Sequence, residues 1–147
     1  MNSVPKRYPL TQKIKEVLGV VTGLPVGVSS APETSTGVYA PLPYIVVYPE
    51  LGGFFEGEPF CGGTSDASFH YQITVYGEAE HDAEFNGDLV RTIIVGRDSF
   101  NEYLHDFEYP DHKVMLREIV GPAGRLVREG QVYRHFEDYS FRVTSRA

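Results

Sequence analysis

The chain has 147 residues, 41% of them hydrophobic, with ten Tyr, nine Phe, no Trp, a single cysteine and a formal net charge of −7. That length suits one domain with one core, and the aromatic content excludes a disordered chain. One cysteine excludes an intramolecular disulfide, no Cys/His spacing resembles a zinc site, and the longest apolar runs, such as Ile45-Val46-Val47, fall far short of a bilayer span. With no apolar export signal at the N-terminus, the chain reads as soluble and not exported.

In chain order, Asn2 to Pro9 carries two prolines and reads as an extended arm (1–8), ahead of a domain at 9–147. Leu10, Ile14, Val17 and Leu18 repeat at helical spacing, with Gly19 or Gly23 as a stop, so a short amphipathic helix is expected. Residues 23–43 are rich in Gly, Pro, Ser and Thr and read as loop, with a short strand around Val26–Val28. Tyr44–Tyr48, between Pro43 and Pro49, is a short buried strand. Residues 52–63 hold five glycines and Pro59 around Phe54, Phe55 and Phe60, a loop suited to contacts. Ala67 to Gly77 alternates, with Ala67, Phe69, Tyr71, Ile73 and Val75 on one face.

The acidic run Glu78, Glu80, Asp82, Glu84 then opens a second helix, with Phe85, Leu89, Val90, Ile93 and Ile94 as its apolar face and Gly96 as its end. Carboxylates in a first turn oppose the positive end of the helix dipole, so part of this acidity is structural. Asp98-Ser99-Phe100 suggests a further turn, and Leu104–Asp111 a polar connection. Lys113–Val120 is a strand with Val114, Leu116 and Ile119 toward the core, and Gly121–Gly124 a turn. Residues 125–128 and 131–144 flank Glu129-Gly130 as a hairpin. In the last strand Glu137 interrupts the apolar series Tyr133, His135, Tyr139, Phe141 and Val143, which predicts a bulge at Glu137-Asp138. The fold class is α+β: a mainly antiparallel sheet packed against one long and one short helix.

The charge is divided along the chain. Residues 1–15 carry Lys6, Arg7, Lys13 and Lys15 and no acid; residues 16–96 carry eleven acids against Arg91 alone; the remainder is near balance. An acidic body without clustered Lys/Arg excludes a tight nucleic-acid groove. A solvated acidic surface explains the pattern simply; a basic arm meeting the acidic flank of another subunit explains it with more content.

Catalytic patterns are sparse. Cys61, beside Gly62 and Gly63, has His70 or His81 as a candidate base, but the acidic surroundings raise a thiol pKa, and an ordinary loop or packed cysteine is the better reading. His81-Asp82 with Glu78 and Glu84, and His105-Asp106 with Glu108, Asp111 and His112, hold metal-ligand types without the spacing of a known site. A helix start and a solvated loop account for them. No P-loop, dinucleotide fingerprint or nucleophile elbow is present, so neither catalysis nor a cofactor is expected.

Three stretches in this order resemble the tail terminator proteins of long-tailed, siphovirus-type bacteriophages: residues 40–48, residues 71–77 running into the helix at 80–95, and residues 132–143. The resemblance spans roughly residues 9–143; the 52–63 loop and the 23–41 connection depart from it. It implies a virion structural protein, not an enzyme, that is assembled in the host cytoplasm into a ring, usually of six copies, at the head–tail junction. Such a ring caps the tail tube, stops its growth and provides the head-docking surface. The implied partners are further copies of itself, the major tail tube protein and a head-completion or connector protein, with genomic DNA passing through the lumen unread and no membrane involved. Six copies would carry about −42, and an acidic bore repels phosphate. Candidate lumen or subunit-boundary residues are Glu50, Glu56, Glu58, Glu78, Glu80, Asp82 and Glu84, with Lys6, Arg7, Lys13 or Arg97 toward an acidic neighbour. Phe54, Phe55 and Phe60 are candidate contacts with the tube or an adjacent subunit, or cover their own core. The alternatives are a head-completion or minor tail component, a small enzyme using Cys61 or the His/acid clusters, and a ligand-binding module.

Overall fold

The first helix, α1 (Arg7–Thr22), starts inside the segment read as an extended arm. Pro9 does not oppose this, because an N–H missing from a first helical turn would have no intrahelical partner. The helix ends where Gly23 adopts the left-handed conformation (φ 73°) and donates its N–H to Gly19 O at 3.0 Å. Leu10, Ile14 and Leu18 form its fully buried stripe, each contributing about 1.5–3 kcal/mol by leaving water.

The structure, a computed structural model, describes residues 4–50, 54–56 and 66–145. After α1 come β1 (Val26–Val28), β2 (Glu33–Ser35), β3 (Val38–Tyr39), β4 (Tyr44–Pro49), β5 (Phe54–Glu56), β6 (Asp66–Gly77), α2 (Glu80–Val95), β7 (His112–Glu129) and β8 (Val132–Ser145). The main sheet has the order β1-β4-β6-β8-β7, with β5 also on β6. Among the described residues only β1–β4 is parallel in it; β2 and β3 form a separate antiparallel pair. The α+β expectation holds. Both helices have sixteen residues, so α1 is longer than its periodicity implied.

Both helices share one buried cluster with one face of the sheet: Leu10, Ile14 and Leu18 of α1 and Val90, Ile93 and Ile94 of α2 meet Phe69, Tyr71, Ile73, Tyr139 and Phe141. Alternation in β6 and β8 puts these side chains on that face. Tyr71 and Phe107 each meet Phe141 edge-on, with centroids 5.6 and 5.7 Å apart. The opposite face carries the half-buried Tyr44, Tyr48, Tyr76 and Phe136.

Several sequence expectations are corrected. Gly121–Gly124 is not a turn between strands but an irregularity within β7, where pairing shifts from Val120↔Asp138 to Arg125↔Phe136. Those four residues lie opposite Glu137 alone, while β8 pairs with β6 without a break through Glu137 and Asp138. The bulge is therefore in the partner of the strand expected to hold it. The hairpin loop is Gly130-Gln131, one residue later than expected, with Gly130 at φ 61°. The turn expected at Asp98–Phe100 is present and is closed by a side chain: Asp98 Oδ1 accepts the N–H groups of Phe100 (2.8 Å) and Glu102 (3.1 Å). The 104–111 connection is not simply polar, because Phe107 is fully buried and Tyr109 nearly so. Phe85 does not join the core. It is 67% exposed, and Ala83 and Gly87 are buried in α2 with Val90, Ile93 and Ile94.

Candidate functional site

The basic N-terminal segment is tied to its own domain. The backbone N–H of Lys6 donates to His112 Nε2 (3.0 Å), and the Tyr109 hydroxyl donates to the Lys6 carbonyl (2.8 Å). Since His112 Nε2 accepts, its Nδ1 carries the proton and donates to the Pro110 carbonyl at 2.8 Å. Arg7 donates to the Glu50 carbonyl at 2.6 Å. Chain entry is thus fixed from Pro5 onward, with the Lys6 side chain exposed and Lys13 half-buried. Burial first, then the charge and hydrogen bond of Asp138, raise the Glu50 carboxyl above its ordinary pKa, with His70 opposing the shift.

The acidic candidates gather at the start of α2. Glu78, Glu80 and Glu84 are exposed, and Asp82 pairs with His81 at 3.2 Å. Glu80 and Asp82 occupy the first turn, where they complement the helix dipole. Along the outer side, His81, Glu84, Phe85, Asp88 and Thr92 follow one another at helical spacing and are all exposed. Arg97 is exposed but engaged within its own chain: its guanidinium lies 4.0 Å above the Tyr103 ring and donates to Asn101 O at 2.8 Å. Phe54, Phe55 and Glu56 belong to β5 by their backbone, while Glu58, Phe60 and Cys61 lie outside the described residues.

The inner side of α2 holds a polar cluster that the sequence did not announce. Glu137, 2% exposed, accepts Arg91 Nε at 2.8 Å on Oε1 and Arg91 Nη2 at 2.9 Å on Oε2. Tyr139 donates its hydroxyl to Oε1 at 2.7 Å, and Gly124 donates its backbone N–H to Oε2 at 2.5 Å. Burial pushes the Glu137 pKa up, but these donors outweigh it and hold the carboxyl below its ordinary value. Beside it, burial lowers the pKa of His135. A Cβ at Gly87 or Gly124 would overlap the His135 ring, so glycine lets helix and bulge close on it from two elements. Two sequence features mark this cluster: Glu137 interrupts the apolar face of the last strand, and Arg91 is the lone Lys or Arg of residues 16–96.

A buried cation closes the far end of the helix. Arg117, 6% exposed, has its guanidinium 4.1 Å from the Tyr103 ring centroid and 4.6 Å from that of Phe107, and donates to Ile94 O at 3.2 Å in the last turn of α2. Burial pulls its pKa down.

These arrangements fasten elements together and leave little reactive capacity. Each oxygen of Glu137 already accepts two donors, so that carboxylate is not poised to take a substrate proton. In the His105–His112 segment, Asp106 Oδ1 accepts the Glu108 N–H (2.7 Å) and Glu108 Oε1 accepts the Val114 N–H (3.2 Å), so the candidate ligands hold their own loop. Among the described residues no group of three or more His, Cys, Asp or Glu converges on a metal position. No described helix is long and apolar enough to cross a membrane.

No protein-family model and no curated protein matches the chain. Solved structures do. A chain of the virion of a native gene transfer agent particle is 16% identical, aligns over 92% of each chain and has a TM-score of 0.53. A second solved chain, whose description names no function, is 12% identical, covers 94% of this chain and 92% of that one, and has a TM-score of 0.55. At these identities the likeness shows a shared fold.

Proposed function

We propose that the chain is a virion structural protein of the tail-terminator type. It would form a ring, of six copies on the family pattern, that caps the tail tube, ends tube growth and offers the head-completion protein its docking surface. The observation that carries this reading is the fold shared over nearly the whole length with a chain of a gene transfer agent virion. It agrees with the order of the three stretches that resemble tail terminators. Physical chemistry adds support: the buried polar groups are spent on holding α2 to the sheet, whereas the acids at the start of α2 face outward. An acidic bore assembled from such subunits would let DNA slide past without adhering.

Electron microscopy of the purified protein mixed with pre-formed tail tubes tests the proposal. The expected result is a ring at one end only of each tube, and tubes that no longer elongate when tube protein is added. Rings lined mainly by Lys and Arg would overturn the bore, and binding to a head connector with tube growth unaffected would favour a head-completion role.

A further inference from the structure

The sheet order leaves β7 at an edge, and an edge strand presents outward N–H and C=O groups that template pairing with another chain. In the first half of β7 those groups are taken by residues 103–109 of the same chain. The N–H of His112 goes to the Tyr109 carbonyl (3.1 Å), that of Val114 to Glu108 Oε1 (3.2 Å) and that of Arg117 to the Tyr103 hydroxyl (2.9 Å). Simple alternation would turn Val114 and Arg117 to opposite sides. Met115 is the extra residue where pairing shifts from Val114↔Val143 to Leu116↔Arg142, and it brings both amides to the free side. The Tyr103 hydroxyl also donates to the Arg117 carbonyl at 3.3 Å. One side chain thus meets both outward groups of a strand residue, as a neighbouring strand would. The segment is well anchored: Tyr103 forms a β-bridge with Arg97, the Arg97 and Arg117 guanidiniums lie 4.0 and 4.1 Å from its ring centroid, and Phe107 is fully buried. Beyond Arg117 the edge is defended differently. Gly121 turns the backbone at φ 78°, Pro122 has no N–H to offer, and Arg125 and Arg128 are exposed charges on the stretch that follows.

We infer that residues 103–109 are an edge guard: Tyr103 closes β7 to strand addition, and without it the β7 edges of two copies of this chain pair antiparallel. The segment satisfies backbone groups that only another strand would otherwise match. A second copy supplies that strand because identical edges are self-complementary about a two-fold axis: the outward N–H and C=O of Arg117 in one copy meet those of its counterpart. Such a contact is isologous and ends at two copies, so an open β7 edge competes with any head-to-tail assembly. The inference does not depend on the ring reading. Where a ring forms, it keeps the ring's contacts off the first half of this edge.

Two measurements on the full-length chain test it. Tyr103→Phe keeps the ring and removes only the hydroxyl, so hydrogen exchange of the Arg117 amide, read by NMR, should speed up about 2- to 10-fold, the worth of one hydrogen bond. Unchanged exchange overturns the cap. The guard is read in a Cys61→Ser background carrying Glu118→Cys, an exposed position next to Arg117, treated with a short bis-maleimide. With Tyr103 in place no link between copies is expected at any concentration; a link there overturns the inference, because the edge is then already in use. Tyr103→Ala, with a circular dichroism spectrum like that of wild type, should give linked dimers whose yield rises with concentration. Adding Met115→Lys, a charge on the exposed extra residue of the edge, should abolish them. Folded Tyr103→Ala chains that never link, or that link equally with Met115→Lys, overturn the guard. Where Tyr103→Ala loses its fold, Tyr103→Leu, which keeps an apolar side chain in the same place, is read by the same link and the same outcomes.

Discussion

The two sides of α2 follow opposite rules. On the inner side the buried carboxylate is fully partnered: Glu137 accepts from Arg91, Tyr139 and Gly124. On the outer side Glu84 and Phe85 stand in solvent, and Asp88, at the next helical position, reaches Arg91 at 3.6 Å. A buried ion pair is costly to desolvate and persists only where its hydrogen bonds are complete, so the inner circuit marks where the fold is held. An exposed phenyl ring among carboxylates has no such internal account, so the outer stripe marks where the molecule has surface to offer. On the proposed reading the helix separates stability from assembly, and substitutions on its two sides should separate them too.

The largest effect is expected on the inner side. Glu137→Ala leaves the Tyr139 hydroxyl and the Gly124 N–H without their acceptor and the part-exposed Arg91 with Asp88 alone, and breaking a pair of which one partner is buried costs up to about 3–5 kcal/mol. Urea unfolding of the variant should show that loss; a change below about 1 kcal/mol would mean that the circuit does not hold the helix. Next in size is Gly87→Ala. The added methyl overlaps the His135 ring, and overpacking of this kind costs about 1–3 kcal/mol, which outweighs the better helix propensity of alanine. A thermal midpoint unchanged or raised would show that His135 has room to move.

Acid should act on the same circuit. His135 has a folded pKa below its ordinary 6.5, so its neutral form contributes stability that is complete above 6.5 and declines as pH falls below it, where the unfolded chain takes up the proton first. Glu137 has a folded pKa below its ordinary 4.5, so its contribution is complete above 4.5 and is lost as pH falls through the lowered folded value. Both groups make the fold acid-labile, in two successive windows. Unfolding free energy measured from about pH 8 to about pH 3 should fall in both, and His135→Asn should remove the upper one. Stability that stays flat between about pH 7.5 and 5 would remove His135 from the account.

How much of this was readable beforehand follows from physical range. Alternation in β6 and β8 and the 3.6-residue spacing in α2 are local periodicities that burial enforces, so both strands and the helix end at Gly96 were legible. The β7 irregularity was not, because Gly-Pro-Ala-Gly reads locally as a turn, and only the pairing with β8 shows four residues opposite one buried carboxylate. Phe107 was missed for a similar reason: a single aromatic in a polar segment has no period, and its burial against Phe141 and Arg117 is purely tertiary. Of the candidate surface, counting charges located an acidic stretch and a basic one. It could not say which flank of α2 faces outward, and it placed Phe85 in the core because Phe85 and Leu89 are four residues apart.

The smallest effect on stability, and the sharpest test of the contrast, is expected for Phe85→Ser. The side chain is 67% exposed, so little apolar area returns to water on its removal and the unfolding free energy should stay within about 0.5 kcal/mol of wild type. Serine is about the equal of phenylalanine as a helix former, which keeps the propensity contribution inside the same margin. A loss of about 2 kcal/mol or more by urea unfolding would place Phe85 against its own core and erase the distinction between the two sides of α2. An unchanged midpoint beside weakened association would keep the distinction, since a surface that does nothing for the isolated fold would then be required between copies.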